Sequence, residues 1–254
     1  MGVAAISYDP VPVLADFTKR RGITFPLLSD TGAAVIRAYG ILNTTVPSTN
    51  RQQYGIPFPG TFIVNARGVV TSRVFEAAYQ ERDTISSVMV RLGGRMSAPA
   101  TRVTAPYLQL TTFVTDDTVA PGTHFSLVID GVPEKGVHVY APEVTGYKPL
   151  ALTIDPQPGL VVRGIQFARA EDYFFKPLKE HVPVYQRPFR VVQDLMIDAS
   201  RDAEAALREV PRMTVTGSLA YQACDDKVCF LPKVVPLEWT VSLKALDRER
   251  VTPQ

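Results

Sequence analysis

The chain has 254 residues, of which 46% are hydrophobic and 20% charged, and its net charge is +2. This composition is typical of a globular protein, and the length indicates one or two domains. The charges are interspersed, so neither a nucleic-acid-binding patch nor a trap for acidic substrates is predicted. No apolar run reaches the ~18 residues of a membrane-spanning helix, and the N-terminus lacks the basic region and cleavage site of a signal peptide.

The first part of the chain alternates between strand and helix patterns. The predicted elements are a strand at 3–7, a helix ending at Gly22, an extended segment at 25–30, a helix ending at Gly40, a hairpin over 61–74 and a helix over 80–92. Asp30 or Thr31 can cap the second helix. The order βαβαββα with short connections predicts an α/β domain.

The pattern changes after a segment rich in small residues and proline. Residues 93–106 have the composition of a linker. The strands predicted beyond it are 107–114, 123–129, 136–140, 149–154, 160–167, 189–197, 212–222 and 234–243, with one helix at 201–208. Short strands at this spacing predict an all-β sandwich.

The two cysteines of the chain, Cys224 and Cys229, flank a predicted hairpin turn of four residues. Facing residues of an antiparallel pair lie ~4.5–5.5 Å apart at Cα. A disulfide requires ~4.4–6.8 Å between its Cα atoms. The geometry of a hairpin therefore permits a bridge between the two cysteines.

Several roles are open for this pair. Closing so short a loop is worth about 2 kcal/mol in the loop-closure model, so a static disulfide would add little stability. A static hairpin disulfide and two unrelated buried thiols stay open beside redox exchange. A zinc site is disfavoured, because it needs three or four ligands and His124, His138 and His181 show no ligand spacing to the pair. His138, on a predicted strand, is expected to be a polar neighbour rather than a base.

The charges beside the pair refine its expected role. Asp225 and Asp226 disfavour a thiolate, and Lys227 offsets only part of this effect. Such a thiol is a poor first attacker. It suits a carrier, whose disulfide is attacked by a partner's thiolate and which then passes the electrons on.

The segment 221–232, with Tyr-Gln-x-Cys and Cys-Phe-x-Pro motifs, resembles the N-terminal domain of the thiol:disulfide interchange protein DsbD family. Val235-Pro236-Leu237 and His138-Val139-Tyr140 extend the resemblance over residues 105–245. It implies an immunoglobulin-like sandwich in which Cys224 and Cys229 cycle between dithiol and disulfide beneath aromatic side chains. The shielding aromatics implied here are Tyr140, Phe174, Phe175 and Tyr185.

Residues 2–92 resemble a redoxin of the AhpC/TSA group lacking its first βα unit. The stretches that carry the resemblance are 3–9, 22–30, 36–40 and the hairpin that begins Pro59-Gly60-Thr61-Phe62. The resemblance implies an incomplete thioredoxin-like fold with Pro59 as its cis-proline, since cis peptides are almost always X-Pro. An ordinary trans turn proline is the alternative.

The redoxin-like part contains no cysteine between residues 1 and 92. In the family, the nucleophilic cysteine lies on the first βα unit, so this part as given is not expected to act as a thiol peroxidase. We expect the N-terminus to be truncated relative to a longer gene product, because loss of a central strand would expose a sheet edge. A redoxin that has become a docking module is the alternative.

These features together predict two domains: a truncated thioredoxin-like α/β domain over 1–92 and, after the linker at 93–106, an immunoglobulin-like sandwich over 107–254. The predicted function is electron relay by thiol–disulfide exchange in a periplasmic or otherwise extracytoplasmic pathway, in the class of thiol–disulfide oxidoreductases. Expected partners are thiol or disulfide proteins with a thioredoxin fold, or a membrane reductase; no nucleic acid, cofactor or metal is expected. The alternatives are a scaffold with a structural disulfide, and a peroxiredoxin fragment whose active-site cysteine lies upstream.

Overall fold

The computed structural model describes residues 2–50, 54, 56–75, 82–94, 98–175 and 178–245. The chain divides into two compact units, Met1–Tyr79 and Gln80–Gln254. Among the described residues, no helix is both long enough and apolar enough to cross a bilayer.

Strands and helices alternate in the first unit. Its elements are β1 (Ala5–Ser7), α1 (Val11–Arg21), β2 (Leu27–Ser29), α2 (Ala34–Ala38), β3 (Gly60–Val64) and β4 (Val70–Phe75). β1 and β2 pair in parallel, whereas β3 and β4 form an antiparallel hairpin. Gly22 ends α1 with a φ of 60°, a left-handed conformation that glycine adopts without steric cost. The predicted order of these elements is therefore observed as far as β4.

Asp30 organises the start of the second helix. Its Oδ1 accepts a hydrogen bond from the N–H of Ala34 and its Oδ2 one from the N–H of Ile36, both at 2.9 Å. These bonds, that from Ile36 first, favour the ionised carboxylate and lower the pKa of Asp30. Of the two capping residues that the sequence allowed, Asp30 is the one that binds the helix.

Few apolar side chains are buried in the first unit. Among its described residues, the buried hydrophobic side chains are Leu14, Ala33 and Ile36. A parallel strand pair is normally covered on both faces, yet Ile6 and Leu28 on the paired strands are exposed. The described part of this unit therefore lacks the burial of a complete α/β layer.

The second unit consists mainly of strands. Its elements are β5 (Arg82–Asp83), α3 (Ile85–Arg91), β6 (Thr101–Ala105), β7 (Leu108–Val114), β8 (Thr118–Val119), β9 (Thr123–Pro133), β10 (His138–Tyr140), β11 (Ala151–Ile154), β12 (Leu160–Phe167), β13 (Glu171–Phe175), β14 (Glu180–Tyr185), β15 (Phe189–Ile197), α4 (Arg201–Leu207), β16 (Arg212–Tyr221), β17 (Ala223–Cys224) and β18 (Lys233–Leu243).

These strands form three sheets within the described residues. One has the order β12-β15-β9-β7-β6, with β5 added in parallel to β9; the second is β11-β16-β18-β8; the third is β13-β14-β10-β17. The first two sheets supply one continuous hydrophobic core, in which Phe125 and Leu127 of β9 cluster with Val215 of β16 and Trp239 of β18. The third sheet carries the cysteine hairpin.

The helix α3 packs against the outer face of the six-stranded sheet. Val90 is buried there against Phe113, Val128 and Val192. Because successive strand residues point to opposite faces, β9 is covered on one side by the core and on the other by α3.

This packing corrects two expected boundaries. The helix predicted over 80–92 was assigned to the first domain, and 93–106 to a linker. Instead α3 belongs to the second unit, and Thr101–Ala105 pairs with β7 as an edge strand. The apolar side of the helix needs a surface to cover, and the six-stranded sheet provides it. Residues 80–81 and 95–97 of these predictions lie outside the described residues.

Candidate functional site

The two cysteines are joined at the end of a tight turn. Cys224 closes β17 and pairs as an antiparallel bridge with Cys229. A disulfide links them, and their Cα atoms are 4.1 Å apart. The predicted pairing is therefore confirmed.

Asp225 holds the turn between the cysteines. Its Oδ1 accepts hydrogen bonds from the backbone N–H groups of Lys227 and Val228, each at 2.7 Å. Such a side-chain-to-backbone bond two residues ahead is the turn chemistry for which aspartate is favoured. The bond from Lys227, followed by that from Val228, lowers the pKa of Asp225. The carboxylate is thus engaged with the turn while it adds negative charge beside the pair.

The two halves of the disulfide differ in exposure. Cys224 is completely buried, whereas Cys229 is exposed. A partner molecule can therefore approach Cys229, while Cys224 is enclosed by side chains.

Strand β10 lies beside the disulfide and fixes what encloses it. His138 pairs with Cys224, and Val139 with Ala223. Since side chains alternate across a strand, His138 and Tyr140 share the face of Cys224. Val139 and Ala223 point the other way and belong to the main core.

Aromatic rings cover the pair on this face. The Oη of Tyr140 lies 3.4 Å from Sγ of Cys229. A disulfide sulfur carries no proton, so the tyrosine is the donor. Tyr147 stacks on Tyr140 with ring centroids 4.3 Å apart, and Tyr173 lies 4.5 Å from the ring of His138.

Burial and hydrogen bonding shift the pKa values of the titratable side chains around the disulfide. Burial raises the pKa of Tyr140, and the pKa of Tyr147 is raised because its hydroxyl donates to Glu180. Burial lowers the pKa of His138, against the opposing charge of Asp225. At neutral pH both tyrosines keep their protons, so Tyr140 can donate to the sulfur of Cys229 while Tyr147 donates to Glu180, and the imidazole is neutral.

The structure places only some of the predicted shielding aromatics beside the disulfide. Tyr140 lies over the disulfide. Phe174 pairs with His181 and contacts its ring, and Phe175 pairs with Glu180 at the end of β13. Tyr185 does not shield the pair as expected. It pairs with Val139, on the face away from the cysteines, and stacks on Phe189 in the core.

Sequence reasoning missed His138, Tyr147 and Tyr173 as parts of this site. The alternation of His138 with Tyr140 was a usable signal, because residues two apart on a strand share a face. No comparable signal existed for Tyr173. It reaches the site because its strand partner Val182 packs in the same small cluster as Cys224.

Pro59, the expected cis-proline, precedes β3 in the first unit. Every peptide bond between the described residues is trans, including that before Pro59. The cis prediction is therefore wrong. Trans is the lower-energy isomer even for X-Pro, and β3 pairs with β4 alone among the described strands, so no neighbouring central strand enforces the cis form.

A second cluster of polar side chains lies under α3. Asp83, His124 and Asp194 form the one group, among the described residues, whose possible metal-ligating atoms all lie within 4.8 Å of one another. Arg91 donates to Asp83 and, at 3.3 Å, to Asp194. Since a guanidinium already compensates both carboxylates, this cluster is an ion network that ties α3 to the sheet.

Comparison with known families adds a finding for the N-terminal region. Residues 1–73 match the AhpC/TSA family model. The redoxin resemblance of this region is thereby confirmed. Alkyl hydroperoxide reductase E of Mycobacterium tuberculosis and that of Mycobacterium bovis are each 36% identical over 81 residues, which is 31% of this chain. The chain covers 48% of the length of these relatives.

Solved structures are also similar to part of the chain. The DsbD N-terminal domain of Neisseria meningitidis in the reduced form is 15% identical, with a TM-score of 0.31, and covers 46% of this chain and 81% of its own. The N-terminal periplasmic domain of ScsB from Proteus mirabilis is 14% identical, with a TM-score of 0.36, and covers 54% of this chain and 49% of its own. A DsbD N-terminal domain, the family that the cysteine motif indicates, is thus among the structures to which this chain is similar.

Proposed function

We propose that this protein carries out thiol–disulfide exchange, with the Cys224–Cys229 pair relaying electrons between thiol partners. The observation that carries the proposal is the asymmetry of the pair: one cysteine is exposed and the other is fully buried beneath aromatic rings. A hairpin staple needs no such difference. An exchange site needs one sulfur that a partner can reach and a second that is protected until it acts.

The asymmetry assigns an order to the reaction. In the reducing direction, a partner thiolate attacks Sγ of Cys229, a new S–S bond forms between them, and Cys224 leaves with the electron pair of the old bond. The partner's second thiolate then attacks its own sulfur in the mixed disulfide and releases Cys229. Two electrons and two protons pass to this chain, and the partner is left with a disulfide.

Apolar side chains near the exposed sulfur favour a protein partner. Val228 is 57% exposed and Leu231 is 79% exposed, one on each side of Cys229 in the sequence. Large exposed apolar residues grouped at one place mark interaction sites. We propose that this surface binds a partner whose reactive thiol lies beside an apolar patch. A thioredoxin-fold protein or a membrane reductase would be such a partner.

The wider setting of the proposal follows from the same pair. The strands that share the main core form an immunoglobulin-like sandwich that presents the hairpin. Disulfides persist in oxidising compartments, so we place the protein in the periplasm or another extracytoplasmic space. The redoxin-like unit supplies no thiol between residues 1 and 92, and in this scheme it docks partners.

A redox titration tests the proposal. The protein is equilibrated in glutathione and dithiothreitol buffers of graded potential, and the fraction of free thiols is read by alkylation and mass spectrometry. We expect a midpoint above about −300 mV, in the range of exchange proteins. A midpoint below that value is typical of structural bridges and would favour the scaffold alternative. A Cys229→Ser variant, which forms no pair, provides the fully reduced reference.

A further inference from the structure

His138 is placed to act on the buried sulfur of the pair. It is 3% exposed and stands directly opposite Cys224 in the β10–β17 register. Directly opposite residues have Cβ atoms about 4.5–5.5 Å apart on the same face of the sheet. That separation lets an imidazole reach the sulfur across the strand pair.

The ring nitrogen of His138 is left without a partner in the oxidised protein. Its Nε2 is buried and makes no hydrogen bond with any described residue. Such a nitrogen carries an energetic penalty unless a partner appears in another state. Reduction supplies one, because Cys224 then carries an S–H group, which is a donor that the disulfide lacks.

The titratable groups around the imidazole leave it as the proton acceptor of the site. The groups that face it are Tyr140 on its own strand, Cys224 on β17, Asp225 in the turn and Tyr173 on β13. Burial raises the pKa of Tyr140 and lowers that of His138, and backbone hydrogen bonds, that of Lys227 first, lower the pKa of Asp225. At neutral pH a phenol keeps its proton and a carboxylate has lost its own, so the neutral imidazole is the group with a free lone pair and matching basicity.

We propose that His138 is the base that deprotonates the Cys224 thiol when this protein, acting as in the proposed function on which this inference rests, passes its electrons to an acceptor disulfide. The Cys229 thiolate first attacks one sulfur of the acceptor disulfide and forms a mixed disulfide, while the acceptor's S–S bond breaks and its other sulfur leaves as a thiolate. His138 then takes the proton of Cys224, the Cys224 sulfur attacks Sγ of Cys229, and the acceptor leaves as a thiolate with the electron pair of the bond that breaks. The imidazolium returns its proton to water.

The test separates the two steps by their kinetics. Reduced protein is mixed with dithiobisnitrobenzoate in a stopped-flow instrument, and release of the coloured thiolate is followed. The first release, by Cys229, depends on reagent concentration; the second, by Cys224, is intramolecular and does not. We expect His138→Gln to slow the second release by about 100-fold, the scale of a lost general base, and to leave the first unchanged.

A second histidine provides the matched control. The side chain of His181 is 64% exposed on the neighbouring strand β14, where it contacts Asp172. His181→Gln should change neither release. In the wild type, the rate of the second release should fall at acid pH, once the imidazole becomes protonated. Because burial lowers the pKa of His138, this fall should come at a lower pH than for an ordinary histidine, and His138→Gln should remove it.

Each outcome decides the proposal. A His138→Gln variant whose second release keeps the wild-type rate and pH profile overturns it and leaves the proposed function intact. If that variant fails to fold, the pH profile of the wild type decides. A rate of second release that rises only with thiol ionisation, near pH 8 and above, overturns the role of His138. A wild type that releases one equivalent and forms no internal disulfide overturns the proposed function and this inference with it.

Discussion

Individual atoms of the disulfide experience different surroundings. Cys229 is an exposed residue, and its Sγ lies beside the hydroxyl of Tyr140. Cys224 is enclosed in a small apolar cluster with Val182 and Val184. In such surroundings a thiolate loses its hydration, which disfavours the ionised, reactive form of a buried thiol. The two cysteines, five positions apart in sequence, should therefore react at very different rates once they are reduced.

Alkylation of the reduced protein tests this difference. With a limiting amount of iodoacetamide, Cys229 should be modified at least about tenfold faster than Cys224, since reactivity follows exposure and thiolate character. Peptide mass spectrometry at early times gives the ratio. Equal rates in the folded protein would mean that the burial of Cys224 does not protect it. Unfolding in urea is the control, and it should bring the two rates together.

Among the strands, β16 shows how closely the elements of the second unit approach one another. It lies between β11 and β18, with Gly217 opposite Ile154 and Leu237. A Cβ atom on Gly217 would overlap with the backbone oxygen of Thr153. Backbone cannot move aside as a flexible side chain can, so this position requires glycine for space.

Gly217→Ala should therefore destabilise the second unit. Overpacking of this kind costs about 1–3 kcal/mol, and a chemical denaturation curve read by the fluorescence of buried Trp239 measures it. Gly164→Ala is the matched control: Gly164 also lies in a strand, β12, but a Cβ there meets nothing within 4 Å. The control should stay within about 0.5 kcal/mol of the wild type. A Gly217→Ala midpoint equal to that of the control would contradict the close approach.

The molecule as a whole is built from two units of unequal burial. The second unit has a continuous core that spans two sheets, with Leu127, Val215 and Val241 fully enclosed. The first unit leaves Ile6 and Leu28 of its parallel pair exposed. Local stability follows buried apolar contacts and protected hydrogen bonds, so the two units should open independently and with different free energies.

Hydrogen–deuterium exchange should separate the two units. Amides of peptides covering β9 and β15 should exchange orders of magnitude more slowly than those covering β1 and β2, because opening the central strands requires disruption of the main core. Exchange of the folded protein over minutes to hours, followed by digestion and peptide mass spectrometry, gives the comparison. Equal protection of β1 and β9 would show that the first unit is stabilised by contacts that its own residues do not supply.

Sequence alone determined the features that depend on neighbours along the chain. The predicted strands at 160–167 and 189–197 coincide with β12 and β15, and the helix at 201–208 with α4. The pairing of Cys224 with Cys229 was predictable for the same reason, since a short turn brings its own flanks together. Side-chain periodicity and turn residues are local properties, and one chain displays them without reference to its fold.

Tertiary structure decided which distant segments meet. Three such contacts depend on strand register: α3 covers the six-stranded sheet, Tyr185 faces the core, and His138 lies opposite Cys224. A shift of one residue turns every side chain of a strand to the other face, and register between strands far apart in sequence is set by packing of the whole core. The identity of the cysteine pair was therefore predictable from the sequence. The exposure of the two cysteines and the position of His138 beside them were decided by the tertiary structure.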